Sequence, residues 1–398
     1  MLRDLYEDLH RHPELSGEEH RTATLVSRGL RDLGMQVHEG IGGTGVVGVL
    51  VNGTGPTVLL RADMDALPVT EDTGLPYAST VPGVMHACGH DLHVTCLLGA
   101  AGELTSSRQA WSGTLVVLFQ PAEETVSGAA GMVADGLFDK VPVPDVVLGQ
   151  HVAPLPIGVI GLRPGPAFAA SDCARITLYG RGGHGSRPEA TVDPVVMAAA
   201  VVMRLQGIVA REIAGMQTAV VTVGAVQAGT KANIIPDTAD LLVNVRSYDA
   251  GVRTHILSAI ERIVAAEALA SGAPREPHVE WYESAPAVVN DEVACDRTRS
   301  ALGTVALVVD PGTVTGSEDV GILAAAAGAP LVYWLLGGAD PGRFEAASTV
   351  ADIAKVVGSL PSNHSPEYAP LPEPTLQNGV AALVVAARAW LASPPQRS

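Results

Sequence analysis

The sequence predicts an α/β protein in which a mixed sheet covered by helices is interrupted by an inserted α+β domain. Apolar, β-branched runs alternate with helical segments over the first 165 residues and again after about residue 287, as in a sheet covered by helices. Between them the order of elements is βαββαβ, the ferredoxin-like split motif. Because 398 residues exceed one ordinary core, we expect a first domain made of 1–170 and 287–398 and an inserted domain at 171–286.

The first domain begins with a helix that His12-Pro13 interrupts, since proline breaks a helix interior. A turn at Asn52-Gly53-Thr54-Gly55-Pro56 separates the first two strands. The predicted elements are helix 4–33, strands 46–51 and 57–61, helix 94–104, strands 114–119 and 145–148, and a final helix at 375–391.

The inserted domain contains two helices among four strands. Asp193-Pro194 predicts a helix start, because an acid at the N-cap is followed by proline in the first turn. The buried stripe of the second helix is expected to comprise Ile256, Ile260, Ile263 and Val264. The predicted elements are strand 173–179, helix 193–211, strands 218–227 and 238–247, helix 250–271 and strand 278–284.

The composition excludes several classes of function. The net charge is −17 and the chain lacks Lys/Arg clusters, which argues against nucleic acid or an anionic membrane as a partner. The uncharged stretch 320–339 is divided by Gly328-Ala329-Pro330, which favours a helix and a buried strand over a membrane span. The amino terminus lacks a signal-like apolar segment, and the four cysteines show no disulfide spacing. We therefore expect a cytoplasmic protein.

One motif suggests a dinucleotide site and is rejected. Residues 43–48 match G-x-G-x-x-G, but that motif must follow a strand and open a helix. Here the residues from Val46 to Val51 predict a strand that runs into the Asn-Gly turn. The match is better explained by chance than by a nucleotide cofactor.

Acids and a histidine follow three predicted strands. Asp63 and Asp65 come after the second strand, Glu123 and Glu124 after strand 114–119, and His151 after strand 145–148. In open α/β sheets the carboxyl ends of the strands form the binding rim. Each residue alone would be unremarkable in a solvated loop, but their joint occurrence predicts a functional site there.

Cys88-Gly89-His90 adds a thiolate and an imidazole to this set. Together with Glu124, His151 and His364 they make five side-chain ligands, too many for one tetrahedral zinc that also holds water. Two metal ions that share a ligand fit better. His86 and His93 are expected to support the ligands from behind or to face solvent.

A two-metal site needs a base that activates water. Two adjacent glutamates can divide this work, one binding metal and the other accepting the proton. Asp65 is a candidate for holding a metal ligand in place through a hydrogen bond.

Nearly the whole chain resembles the metal-dependent amidohydrolases of N-acyl amino acids, such as hippurate and auxin-conjugate hydrolases, within the aminoacylase and carboxypeptidase family. The matching segments occur in the family's order and are residues 9–16 (LHRHPELS), 61–68 (RADMDALP), 85–91 (MHACGHD), 119–124 (FQPAEE), 180–188 (GRGGHGSRP), 233–237 (NIIPD), 316–319 (GSED) and 364–366 (HSP). The resemblance implies a two-metal catalytic domain.

The resemblance also implies roles for individual residues. Cys88 would bridge the two metals, with a shell completed by His90, Glu124, His151 and His364. Glu123 would be the general base and Asp65 the orienting acid. Zinc is the favoured metal for these ligands, with manganese, cobalt and nickel as alternatives.

The inserted domain is implied to be a lid and dimerisation domain, so that the protein would be a homodimer. His184 would polarise the scissile carbonyl, reaching the active site of the partner subunit. Asn233 and Arg246 are weaker candidates for binding the substrate carboxylate, and an exposed strand arginine explains Arg246 equally well.

The expected reaction is hydrolysis of an N-acetyl, N-benzoyl or indole-acetyl amino acid. Alternatives are a dipeptidase or carboxypeptidase, a hydrolase of N-carbamoyl amino acids, and a non-catalytic protein that binds metal or amino acids. The chain departs from the family where Thr125-Val126-Ser127 precedes Gly128 and where Leu92 replaces a residue that is often small. Both departures put the substrate preference in question.

Overall fold

The computed structural model describes residues 2–392, and these form two compact units. Within the described residues, the first unit comprises residues 2–167, Val289–Thr313 and residues 319–392, and the second comprises Phe168–Val288 and Val314–Glu318. Each unit has its own hydrophobic core.

The helices are α1 Leu2–Arg11, α2 His20–Asp32, α3 His90–Ser106, α4 Gly128–Ala134, α5 Leu137–Lys140, α6 Pro194–Gly207, α7 Ala250–Ala270, α8 Glu292–Leu302, α9 Val320–Ala327, α10 Val350–Val357 and α11 Pro372–Trp390. The strands are β1 Gln36–Ile41, β2 Gly45–Asn52, β3 Thr57–Asp63, β4 Gly113–Gln120, β5 Val146–Pro156, β6 Val159–Gly161, β7 Gly165–Phe168, β8 Ala170–Tyr179, β9 Gly183–His184, β10 Ala219–Ala228, β11 Ile234–Ile235, β12 Thr238–Ser247, β13 His278–Ala285, β14 Val288–Asn290, β15 Leu307–Val309 and β16 Leu331–Ala339.

The first unit is built on an eight-stranded mixed sheet in the order β1-β2-β4-β3-β5-β16-β6-β15. Its central strands β4, β3, β5 and β16 run parallel, whereas β1 and β2 are antiparallel additions. The central strands are almost wholly buried because helices cover the sheet. The predicted mixed sheet covered by helices is confirmed.

The turn at residues 52–56 does not make a hairpin of β2 and β3. Strand β4 lies between them and pairs antiparallel with β2 and parallel with β3. The turn signal is therefore real, but the pairing depends on a strand more than fifty residues later in the chain.

As predicted, residues 45–52 form a strand and not a helix, so the G-x-G-x-x-G match is not a dinucleotide-binding motif. Residues 320–339 form helix α9 and buried strand β16, also as predicted.

The second unit has a four-stranded antiparallel sheet in the order β10-β12-β8-β13, with helices α6 and α7. This is the strand order of the ferredoxin-like split motif, and the predicted element order is confirmed. Asp193 caps α6 by accepting hydrogen bonds from the amides of Val195 and Val196. The expected stripe on α7, at positions 256, 260, 263 and 264, is buried.

Within residues 2–392, one helical stretch, Pro194–Glu212, is long and apolar enough to cross a membrane. Only 33% of its apolar window is buried in the structure, and length and composition alone are weak evidence for a span. All four cysteines are free.

His10 ties the long loop after β3 to the amino-terminal end of α3. It is 1% exposed and donates to Asp91 over 2.7 Å, while its other ring nitrogen lies 3.2 Å from Glu71 in the loop. Burial alone would lower the pKa of His10, but the two carboxylates outweigh burial and raise it to about 10. The loop is in turn joined to the segment that carries His364, because the amide of Asp72 donates to the carbonyl of Pro366.

We predict that the stabilisation provided by His10 is lost in alkaline solution. A folded pKa of about 10 against 6.5 when unfolded means that the stabilisation is complete below pH 6.5 and disappears as the pH rises toward 10. The difference in unfolding free energy between wild type and His10→Gln should be largest near pH 6, up to about 5 kcal/mol, and shrink above it. Denaturant titrations at several pH values measure this difference. His12→Gln, just after the same helix, is the control, and an equal difference at all pH values for His10→Gln would contradict the prediction.

Candidate metal centre

The candidate site lies at the carboxyl ends of the parallel strands. Asp63 is the last residue of β3, and Asp65 follows it. Glu123 and Glu124 follow β4, as predicted. His151 was expected beyond the end of its strand, but β5 continues to Pro156 through its pairing with β16, so His151 lies inside the strand. That detail of the prediction is wrong.

The five predicted ligands form two groups that share one residue. The ligand atoms of Cys88, His90 and His151 lie within 4.8 Å of one another, and so do those of Cys88, Glu124 and His364. Cys88 Sγ is 3.5 Å from His151 Nε2, and His364 Nε2 is 3.2 Å from Glu124 Oε2. Ligands of one ion are roughly 3–4 Å apart when each bond is about 2.0–2.3 Å. The spacing therefore suits two ions with Cys88 between them.

Two buried polar atoms of this cluster lack a hydrogen-bond partner. They are His90 Nε2 and Glu124 Oε1, which are 3.8 Å apart. Buried polar atoms are normally satisfied, and an unsatisfied one needs an explanation such as an ion. Divalent cations bound at these two atoms would supply that explanation, so the donor set fits a divalent metal.

The ring orientations also suit metal binding. His90 donates from Nδ1 to Asp65 over 3.1 Å, and His151 donates from Nδ1 to the carbonyl of Val152 over 2.8 Å. Each bond fixes the tautomer in which Nε2 carries the lone pair. Both Nε2 atoms belong to the cluster around Cys88.

The cluster attracts positive charge. Burial, together with the charge of Glu124, raises the pKa of the Cys88 thiol. Hydrogen bonds to Cys88 and Glu124 raise the pKa of His364 to about 10. Both shifts show that the thiol and the Glu124 carboxylate favour a positive charge beside them. A divalent cation offers more charge to the same groups.

Glycine and strained residues shape the backbone around the cluster. Gly89 has φ +82°, and a Cβ there would lie 2.5 Å from a methyl group of Val152. Four non-glycine residues among residues 2–392 have positive φ, and three of them flank the site: Ala122, Val126 and His364. Such backbone strain is concentrated at functional sites, where surrounding contacts maintain it.

Of the two expected placements, behind the ligands or facing solvent, the second is excluded because His86 and His93 are both buried. His93 donates to Asp63 over 2.5 Å and accepts from the amide of Val152 over 2.8 Å, next to His151. Both ring nitrogens of His86 lack hydrogen-bond partners, and burial lowers its pKa to about 4. Leu92 is fully buried in the core of the first unit.

Sequence reasoning missed three polar residues around the cluster. The Ser16 hydroxyl donates to Asp65 over 2.7 Å, Asn363 donates to the carbonyl of Cys88 over 3.2 Å, and Glu19 accepts from the amide of Ala122 over 2.9 Å. The available signals were weak: Ser16 and Glu19 lie in or just after the first matching segment, and Asn363 precedes His364.

The other three predicted residues lie in the second unit. His184 pairs with Ile234 between β9 and β11, and the amide of Gly185 donates to the carbonyl of Asn233, so His184 and Asn233 are close together. His184 Nδ1 accepts from the amide of Ser186 over 3.1 Å, so its neutral ring carries the proton on Nε2. Arg246 lies half-buried on β12 and donates to Asn244 over 3.0 Å.

Curated relatives are similar to most of this chain. An N-acetyl-L-cysteine deacetylase of Bacillus subtilis is 38% identical over 78% of this chain and 74% of its own length. A hippurate hydrolase of Campylobacter jejuni is 43% identical over 72% and 74%. Thermostable carboxypeptidase 1 of Saccharolobus solfataricus is 41% identical over 78% and 79%.

A solved structure and a family profile match as well. The YxeP protein of Bacillus subtilis, a dinuclear metal-binding peptidase, superposes with a TM-score of 0.77 at 30% identity, covering 98% of this chain and 96% of that one. The profile of peptidase family M20/M25/M40 matches residues 59–358. The predicted family resemblance is thus confirmed, and the chain is a hydrolase that belongs to peptidase family M20/M25/M40.

Proposed function

We propose that the protein hydrolyses the amide bond of N-acyl amino acids of the N-acetyl, N-benzoyl or indole-acetyl type, releasing a carboxylic acid and a free amino acid. The observation that carries the proposal is the pair of ligand groups sharing Cys88, with the carboxylate of Glu123 beside them. Relatives named as a hippurate hydrolase and an N-acetyl-L-cysteine deacetylase support this substrate class.

Two divalent metal ions per chain are part of this proposal. Cys88 would contact both, His90 and His151 would hold one, and Glu124 and His364 the other. Zinc suits thiolate, imidazole and carboxylate ligands, and manganese, cobalt or nickel also fit this set. When bound, such ions polarise a carbonyl oxygen and lower the pKa of water.

Glu123 is proposed as the general base. Its side chain is 7% exposed, and its Oε2 lies 4.0 Å from His90 Nε2, at the edge of the cluster. It would take a proton from the water that attacks the amide carbon and deliver it to the nitrogen as the carbon–nitrogen bond breaks. Asp65 would keep His90 and the backbone of Glu124 in position through its hydrogen bonds.

The second unit is proposed as a lid that contributes to substrate binding. The Nε2–H of His184 is free of the intramolecular bond that occupies Nδ1, so it could donate to the scissile carbonyl as charge develops on the oxygen. Asn233, held next to His184, and Arg246 are proposed to bind the substrate carboxylate.

A homodimer formed through the second unit is also proposed. Strand β10 is the edge of its sheet, and Val220 and Val226 on this strand are 47% and 50% exposed. A long apolar edge strand is a template for pairing with another chain. Pairing with a second copy would cover it. The free cysteines suit the cytoplasm, where we propose that the enzyme works.

Peptide cleavage is a second candidate function, because one relative is named a thermostable carboxypeptidase. Hydrolysis of N-carbamoyl amino acids would use the same groups. A binding protein without catalysis is disfavoured because Glu123 would then have no chemical role.

We predict that Glu123→Gln abolishes turnover without loss of metal. Removing a general base should lower kcat by about 10²–10⁴-fold, whereas the ligand set is unchanged. The assay measures amino acid released from N-acetyl, N-benzoyl and indole-acetyl substrates by metal-stripped enzyme, with Zn, Mn, Co or Ni added back singly. Dipeptides and N-carbamoyl amino acids complete the panel, and metal content is measured by mass spectrometry.

Glu124→Gln is the matched control, because it should lose metal as well as activity. Wild-type kcat in Glu123→Gln would remove Glu123 as the base. Activity of the wild type on dipeptides alone would favour the peptidase. No activity on any substrate of the panel with any metal, despite two bound ions, would argue against hydrolysis of N-acyl amino acids and of peptides alike.

We predict that His184→Ala and Glu123→Gln complement each other. Each homodimer should be nearly inactive, but a mixed dimer holds one site with an intact base and the partner's intact His184. Random reassembly of equal amounts should therefore recover about a quarter of wild-type activity. Co-expression with two affinity tags isolates the mixed dimer.

The control is Val220→Lys introduced into both chains, which places a charge on the edge strand and should prevent pairing. No recovery of activity in an isolated mixed dimer would show that His184 acts within its own subunit. A monomer in light scattering of the wild type would contradict the dimer itself.

A further inference from the structure

Glu19 is fully buried, although it stands at the amino-terminal end of α2, where acids usually face solvent. Its side chain does not cap this helix. Glu14 does so instead, accepting from the amides of Arg21 and Thr22 over 2.8 Å each. The Glu19 carboxylate is therefore engaged elsewhere.

The Glu19 carboxylate accepts three hydrogen bonds, each from a different segment of the chain. Oε1 accepts from the amides of Gly17 over 2.8 Å and Ala122 over 2.9 Å, and Oε2 accepts from the hydroxyl of Thr44. Bonds from a carboxylate to backbone amides are charge-assisted and about twice as strong as neutral ones. The bond to Ala122 is the one that bears on the metal centre, because Ala122 precedes Glu123.

The bonded loop adopts a conformation that its sequence does not favour. Ala122 has φ +50°, a left-handed conformation that is sterically disfavoured for an L-residue. The loop also closes tightly, since a Cβ on Gly128 would lie 1.6 Å from the carbonyl oxygen of Pro121. Contacts from outside the loop must maintain this arrangement.

Two carboxylates hold the backbone on either side of Glu123. Glu19 accepts from the amide of Ala122, and Asp65 accepts from the amide of Glu124 over 2.9 Å. Fixing both neighbouring amides restricts the direction in which the Glu123 side chain leaves the backbone. Asp65 also accepts from His90, a candidate metal ligand, whereas the Glu19 carboxylate accepts from loop residues that are not candidate ligands.

We propose that Glu19 is a positioning residue for Glu123, acting through the amide of Ala122. The part of this inference that concerns catalysis rests on the proposed function, in which Glu123 moves the proton. The part that concerns the loop does not, because it requires only that Glu19 keeps residues 121–124 in place. Without Glu19, the strained loop should relax and the Glu123 carboxylate should lose its fixed position.

The test compares Glu19→Ala with Glu14→Ala, which removes a half-buried carboxylate with two backbone bonds from the same region but does not touch the loop. Glu19→Ala should lower kcat by about 10²-fold with KM nearly unchanged, since a displacement of about 1 Å can cost this much. Hydrogen exchange should accelerate in residues 120–128. Glu14→Ala should lose stability without either change.

Two conservative variants complete the series. Glu19→Gln keeps a carbonyl oxygen for the amide of Ala122, and the Thr44 hydroxyl can turn to accept from the new amide group, so it should restore most of kcat. Glu19→Asp keeps the charge but withdraws it from the loop, so it should resemble Glu19→Ala. If Glu19→Ala does not fold, Glu19→Asp provides the same comparison.

Wild-type kcat and unchanged exchange of residues 120–128 in Glu19→Ala or Glu19→Asp would overturn the proposal. So would an equal fall in kcat in Glu14→Ala, because the effect would then follow from lost stability. If the wild type hydrolyses no amide, the proposed function fails, but faster exchange of residues 120–128 would still establish that Glu19 holds the loop.

Discussion

The carboxylate of Asp65 joins three distant parts of the chain at the metal centre. It accepts from His90 at the start of α3, from the hydroxyl of Ser16 before α2, and from the amide of Glu124 after β4. The bond to His90 leaves the Nε2 lone pair available to a metal ion, and the bond to Glu124 brings a second candidate ligand to the same site. These bonds lower the pKa of Asp65 although burial alone would raise it. The three hydrogen bonds therefore favour the ionised form of this buried acid.

A second buried polar network connects the strands beneath the site. Arg61 is 1% exposed and donates to Asp63 on its own strand, to Gln120 on β4 and to Asp319 just before α9. Asp63 in turn accepts from His93, whose other ring nitrogen accepts from an amide of β5. Buried ion pairs often contribute little net stability, because desolvation offsets attraction. This network fixes the positions of β3, β4 and β5 relative to one another, close to the residues that are the candidate ligands.

Much of this arrangement follows from local sequence, and the remainder does not. Runs such as Thr114–Phe119 predict buried strands, and the acids after them predict the rim, because both depend on neighbours in sequence. The position of β4 between β2 and β3, and the extension of β5 past His151, depend on strand pairing far along the chain. The burial of Glu19 depends on Thr44 and Ala122, and no periodicity of α2 indicates it.

The strained loop explains why the site needs these distant acids. A sequence that favoured the loop conformation would place glycine at positions of positive φ, whereas this chain has Ala122 and Val126 there. A β-branched residue such as Val126 is particularly disfavoured in the left-handed region. The conformation of residues 121–128 is therefore a property of the tertiary structure. Three carboxylates maintain it by accepting backbone hydrogen bonds: Glu19 from Ala122, Asp65 from Glu124 and Asp319 from Ala129. On the proposed function, Glu123 as the base would be held by the same fold that brings the candidate metal ligands together, so positioning the base and assembling the metal centre would be one structural event.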